Sequence, residues 1–298
     1  MLLALRFWTQ SEYQISQDKA GRGWLVEKAF DTNHSRYVVL KSVPANRAEE
    51  VRELRQEEAM LARIRSEHVV STFGLVSART PARGKRLYLV IEHFSADTLR
   101  NLVEDRHGNR LDLDRALQIV ISLLKAFEAL HAAGILHRDL HYSHVSYRDR
   151  NHLKLFDLAA SLSNFGVPNP LSLRNVHANG TWETMAPEEF RLSDRITAAA
   201  NVYSAGTLLY RLLAGRYPLA YKDYLARWES YSPETQKAYQ YDLHLREAVH
   251  YPDFLKPRVV ACLRRALSKR ADDRYQSARA FRADLESVLH NRTHVSKR

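Results

Sequence analysis

The chain is predicted to be an α+β protein of two unlike parts, a β-rich front and an α-helical remainder. Two stretches predict the front. Tyr37–Val43 and Arg86–Glu92 are short, rich in β-branched or aromatic residues and bounded by polar ones, the signature of buried strands. The remainder is predicted by apolar residues at three- and four-residue steps, as in Leu117, Val120, Leu124, Phe127 and Leu130, which line one helical face. With 298 residues, 45% of them apolar, the chain can bury a substantial core in one domain or two lobes.

Taken in order, the strand at 37–43 is followed by helical spacing over 47–66, with Val51, Leu54, Leu61 and Ile64 on one side. The strand at 86–92 leads into a hinge expected near Glu92 to Ala96. A helix is expected over 116–131, with Gly134 as its stop signal. Three more are expected over 202–213, 259–267 and 278–289. The stretch 217–251 is dense in tyrosine and contains Trp228, a composition that suits either partner anchoring or a packed helix pair.

The formal net charge is +11, and the segment from Lys256 onward holds twelve Lys or Arg against four Asp or Glu. That excess reads as the solvated side of amphipathic helices or an acidic-partner contact, so nucleic acid is not an expected partner. The single cysteine, Cys262, lies in an apolar-periodic stretch and reads as a small buried hydrophobe. No disulfide within the chain is possible, which fits a reducing compartment. No apolar run approaches the length of a membrane helix. A soluble cytoplasmic protein is expected, with its oligomeric state open.

The most informative residues are His137-Arg138-Asp139, with Asp157 following in Leu153-Lys-Leu-Phe-Asp-Leu-Ala. Lys41 stands upstream in Val38-Val-Leu-Lys, and Met185-Ala-Pro-Glu188 stands downstream. A lysine, two carboxylates and glycine-flanked backbone are what phosphoryl transfer asks of a protein, because the reaction needs positioning and charge neutralisation above all. In joint order and spacing these fragments resemble the eukaryotic-type protein kinase family of the serine/threonine type.

The resemblance implies a bilobal fold, with a terminal segment at 1–12, a β-rich N-lobe at 13–94, a helical C-lobe at 95–290 and a basic tail at 291–298. It also implies ATP with Mg or Mn as cofactors, and a protein substrate or partner. Lys41 would hold the α- and β-phosphates, paired with a glutamate of the following helix. Glu57 and Glu58 both lean toward the apolar face there, and the family spacing selects Glu57. Asp139 would accept the substrate hydroxyl's proton and Asp157 would hold a metal. Val26, Val39, Glu92 and Phe94 would frame the nucleotide from the first lobe, with Ser146 below it and Gly21 and Gly23 at the phosphates. Glu188 is expected to pair with a buried Arg274.

Several positions depart from the family pattern. Trp24 stands at the third glycine of the phosphate loop and would obstruct the approach of backbone N–H groups, although a shifted register through Gly21 and Gly23 would rescue part of it. Val39 replaces a small residue over the adenine, an overpacking that costs about 1–3 kcal/mol in an unyielding slot. Ser146 removes an apolar floor, worth roughly 1–2 kcal/mol on area grounds. His144 takes the place of the asparagine that ligates a second metal, and imidazole suits magnesium poorly. Ala159 replaces the glycine after Asp157 and Leu158, and Asn201 replaces an aspartate that braces the catalytic loop. His141, in place of a phosphate-contacting lysine, is a tolerated variant.

His137, His141 and His144 read as loop histidines rather than a transition-metal site, His137 as a core residue. Ser161, Ser163, Ser172 and Thr181 read as ordinary loop residues first, and a phosphate on one of them would find a partner in Arg138 as the alternative. The reading that follows is a pseudokinase, a binding or regulatory module with weak or absent ATP turnover. The alternative is an active or slow serine/threonine kinase, and a minor third reading is another transfer chemistry on the same fold.

Overall fold

The computed structural model describes residues 7–10, 24–80, 83–94, 97–106, 110–149, 152–158, 161–163, 182–190, 195–219 and 242–295. The chain forms two compact units, Met1–Ala96 with Lys154–Ala159, and Asp97–Leu153 with Ala160–Arg298.

The first unit is built on a five-stranded antiparallel sheet of β1 (Phe7–Gln10), β2 (Leu25–Asp31), β3 (Arg36–Pro44), β4 (Thr72–Thr80) and β5 (Gly84–Glu92), in the order β1-β2-β3-β5-β4. Central β3 alternates its side chains between two faces. Val38 and Leu40 join Ala29, Tyr88 and Val90 in a buried cluster on one, while Val39, Lys41 and Val43 point to the other. Helix α1 (Ala48–Leu61) buries Leu54, Glu57, Met60 and Leu61. Asp31 closes the β2–β3 turn, accepting from Asn33 N at 3.2 Å and lying 2.9 Å from His34 Nδ1.

Two features differ from the expected boundaries. The sheet begins before residue 13, because Phe7–Gln10, rich in β-forming residues, pairs with β2 in the register Phe7↔Asp31 to Gln10↔Lys28. The stretch 154–159, expected within the helical lobe, belongs to the first unit. Backbone bonds from Val70 N to Leu155 O (3.1 Å) and Leu155 N to His68 O (2.8 Å) hold it there, with Phe156 stacked on Phe94 at 4.5 Å.

The second unit is helical, with α2 (Leu99–Arg106), α3 (Leu113–Ala132), α4 (Ala198–Ala214), α5 (Pro257–Ala266) and α6 (Ala278–Val295). Asp112 caps α3 by accepting from Arg115 N at 2.9 Å, and the chain leaves it through Gly134 at φ 71°, a left-handed turn that glycine adopts without steric cost. Thr197 caps α4, which ends at left-handed Gly215. Helix α6 is tied to α3 by Arg282 Nε on Glu128 Oε1 at 2.6 Å. Two-residue strands β6 (Ile135–Leu136) and β9 (Leu162–Ser163) pair beside the loop that follows α3. Two further short strands are β7 (Val145–Tyr147) and β8 (Leu153–Leu155). Cys262 is buried on α5, and burial pushes its thiol up. Most of the tyrosine-rich stretch, residues 220–241, lies outside the described residues. No helix among the described residues is long and apolar enough to cross a membrane.

Candidate active site

The first unit gathers three of the expected residues around one ammonium group. Lys41 leaves β3 on the face opposite the Val38–Leu40 cluster, and its Nζ lies 2.7 Å from Glu57 Oε2 and 2.9 Å from Asp157 Oδ1. Glu57 comes from the buried side of α1, and its second oxygen accepts from Leu158 N at 3.2 Å. Asp157 sits at φ 64°, strained for a residue with a Cβ, in the stretch carried back beside Val69 and Val70. Burial opposes the charge on Lys41, but Asp157 and Glu57 more than offset it and leave its pKa raised. Burial pushes the Glu57 carboxyl up, against the pull of Lys41. Helical position selects Glu57 over Glu58, since Glu57 is buried and Glu58 only half-buried.

Trp24, immediately before β2, lays its ring 4.9 Å from the same Nζ. The ammonium is thus met by two carboxylates and an aromatic face. Val26 pairs across the sheet with Lys41, and Val39 is fully buried between Lys28 and Ile91. Glu92 is engaged by Lys154 at 2.5 Å, and Phe94 stacks on Phe156. Gly21, Gly23 and Ala159 lie outside the described residues.

The second unit holds the loop bearing Asp139. Arg138 takes φ 58°, and Asp139 N donates to His137 O at 2.8 Å, so the backbone doubles back sharply. Helix α4 grips both ends of this turn through residues one helical turn apart. Asn201 Oδ1 accepts from His137 N at 3.2 Å and lies 3.0 Å from His131 Nε2. Ser204 Oγ donates to Thr184 O at 2.8 Å, and Thr184 Oγ1 donates to Leu140 O at 2.5 Å. The asparagine at position 201 therefore still braces the loop, with an acceptor but no charge, and burial lowers the pKa of its neighbour His131. His137 is fully buried, its ring 6.3 Å from that of Phe127.

His144 Nδ1 lies 2.9 Å from Asp139 O and 3.6 Å from Asp139 Oδ2. A carbonyl can only accept, so Nδ1 carries the proton, and a metal contact by this ring would have to be made through Nε2. That donor suits manganese or zinc better than magnesium. Asp157 meets Lys41 through Oδ1, and a single carboxylate plus phosphate oxygens suffices for one magnesium. A hard cation would fall to Asp157, and the His144 imidazole is a poor ligand for a second magnesium. Among the described residues, no group of three or more His, Cys, Asp or Glu side chains is placed to hold a metal. His141 is used locally, accepting from Ser143 N at 3.2 Å and meeting the Ser143 hydroxyl as the cap of a 3-10 turn over Tyr142–His144. Ser146 is buried in β7, bridged to Thr98.

Arg138 is met by an acid of its own unit. Its Nε lies 3.3 Å from Glu189 Oε1, both side chains almost fully buried. Ser161 donates to His137 O at 3.1 Å, while Ser172 and Thr181 lie outside the described residues. Arg274 meets Glu188 with two parallel bonds of 2.8 Å, as the family resemblance implied. Glu189, Thr184 and Ser204 were missed because nothing in their spacing separates them from ordinary polar residues. Only the repeated acid in Pro187-Glu188-Glu189 hinted at a second buried carboxylate.

Comparison with known proteins decides the family. A model described as the protein kinase domain matches residues 17–285. The chain belongs to that family. A probable serine/threonine-protein kinase of Streptomyces coelicolor is 29% identical over 90% of this chain and 39% of its own length. The serine/threonine-protein kinase PknB of Mycobacterium tuberculosis is 29% identical over 80% of this chain and 36% of its own. The kinase PksC of Streptomyces coelicolor is 28% identical over 93% and 49% respectively. The chain thus spans less than half the length of these relatives.

Proposed function

We propose that this kinase domain is a pseudokinase, a binding and regulatory module with weak or absent ATP turnover that acts through a protein partner. The enclosure of Lys41 carries this reading. Its Nζ is hydrogen-bonded to Glu57 and Asp157 and faced by the Trp24 ring, so a phosphate reaching it must displace at least one of them. A cation over an aromatic face is worth about 0.5–1 kcal/mol when exposed and about 2 when desolvated. In the family the matching aspartate holds metal, and here a metal would have to share that carboxylate with the lysine. Val39 and Ser146 weaken adenine contacts within their own units, and His144 suits a second magnesium poorly. Bound nucleotide would supply the transferable phosphoryl group, and Asp139 would hold the acceptor hydroxyl's proton.

A second reading, a slow serine/threonine kinase acting on a protein hydroxyl, is favoured by one observation. The Lys41–Glu57 pair is formed at 2.7 Å, the state that catalysis requires, and the relatives above are named serine/threonine kinases. Two measurements separate the readings. The first is phosphoryl transfer from γ-labelled ATP with Mg or Mn, comparing wild type with Asp139→Asn, where the expectation is no difference. Transfer that disappears in Asp139→Asn overturns the pseudokinase. The second is a thermal shift with ATP, since ligand at a hundredfold excess over Kd adds about 2.7 kcal/mol. Trp24→Gly is expected to tighten ATP by about tenfold, equal to about 1.4 kcal/mol. Unchanged affinity removes the tryptophan from the explanation.

A further inference from the structure

The buried pair of Arg138 and Glu189 lies beside Asp139 and is assigned no part in the function above. Arg138 is on the loop of Asp139, with a side chain 4% exposed, and Glu189 follows Glu188 with a side chain 1% exposed. Glu189 is held on both oxygens, Oε1 by Arg138 Nε at 3.3 Å and Oε2 by Ala186 N at 2.9 Å. Burial pushes its carboxyl up and Arg138 draws it back. Arg138 Nη2, also buried, makes no hydrogen bond among the described residues, so Glu189 is the acid that this guanidinium addresses there.

We propose that Glu189 is a positioning residue, a built-in anion that holds Arg138, and through it the Asp139 turn, without any phosphate on the protein. The physical reason is competition. A phosphorylated side chain that captured Arg138 would strand a buried carboxylate without its cation, and breaking a buried pair from one side is strongly destabilising. A phosphate–guanidinium contact near the surface does not recover that, because water already solvates the phosphate. The backbone geometry supports the same point. Arg138 sits at φ 58°, a strained conformation for a residue with a Cβ that persists only when its surroundings over-determine it. Asn201 and Thr184 fix the backbone on either side of Arg138, and Glu189 fixes its side chain.

The test is hydrogen exchange of the 136–142 amides, a readout independent of turnover, so it stands or falls apart from the pseudokinase reading. Wild type before and after exhaustive phosphatase treatment is expected to show the same exchange within a factor of two. Glu189→Gln, which keeps shape and removes charge, is expected to speed exchange in this loop at least tenfold, with the α3 amides unchanged. A global loss of stability would move both segments together. Arg138→Ala combined with Glu189→Ala is expected to be less destabilised than the two single changes summed, the mark of a coupled pair. Faster loop exchange after phosphatase treatment of wild type, or Glu189→Gln exchange equal to wild type, overturns the proposal. Should Glu189→Gln fail to fold, Glu189→Asp carries the same comparison, since a shortened acid leaves the charge but lengthens the contact.

Discussion

Glu183 is a carboxyl group placed where its charge is unwelcome. Burial pushes its pKa from 4.5 up to about 7, with one backbone hydrogen bond pulling the other way. Between those values the folded chain keeps a proton that the unfolded chain has released, so stability is complete below about 4.5 and falls as pH rises through 7. Glu183→Gln is expected to stabilise the protein at pH 8 by up to about 3 kcal/mol, because each tenfold difference in proton affinity between the two states is worth about 1.4 kcal/mol. The same change is expected to do little at pH 4.5. Thermal melts of both proteins at the two pH values check this. An equal gain at both would place the effect outside the carboxyl's ionisation. His131 works in the opposite sense, since burial lowers its pKa and its contribution is lost as pH falls below the ordinary histidine value. Residue-scale effects of this kind were closed to sequence reading, because a pKa depends on surroundings assembled from distant segments.

Helices and strands were far more legible than residues, and the exceptions have physical causes. The strands at 37–43 and 86–92 and the four later helices read from periodicity all appear, each longer in the structure because caps and polar turns extend beyond the apolar pattern. The helix expected over 47–66 is shorter and stops at Leu61. Strand β4, Thr72–Thr80, was not read, since its edge position leaves its side chains half-exposed and blurs the alternation. Short α2 lacks a long enough period to stand out. The packing of one helix on another was equally invisible. Gly206 on α4 lies so close to α5 that an added Cβ would stand 2.9 Å from Ala266 Cβ and 3.3 Å from Leu267 Cδ2. Alanine normally gains about 1 kcal/mol over glycine inside a helix, but Ala266 has no rotamer with which to yield, and overpacking costs about 1–3 kcal/mol. Gly206→Ala is therefore expected to lower the urea midpoint despite its better helix propensity. A raised midpoint would mean that the two helices separate freely.

At the scale of the whole molecule, the sequence offered a set of candidate residues, because phosphoryl transfer restricts residue types and their order. It did not disclose what those residues touch. Lys41, Glu57 and Asp157 were legible as a set, yet their closure under Trp24 and the return of 154–159 to the first unit depend on long-range packing. Arg274 shows what the family resemblance added across the sequence, and its chemistry is that of a buried guanidinium, which needs a matched acid. It is 1% exposed and binds Glu188 through two bonds of 2.8 Å, while also donating to Ala199 O, Ser268 O and Lys269 O. One side chain thus joins the segment after Pro187, the start of α4 and the turn following α5. Arg274→Ala removes the cation and leaves Glu188 and three carbonyls without their donor, a loss of about 3–5 kcal/mol for a buried pair broken from one side. Arg274→Lys is expected to recover less than half of this, because a single ammonium cannot form the parallel pair and reach the carbonyls as well. Urea unfolding checks both variants, with a lowered midpoint and an unchanged slope as the expected result. If lysine restored the midpoint fully, charge alone would account for the contact, and the fork geometry that links the three segments would be dispensable.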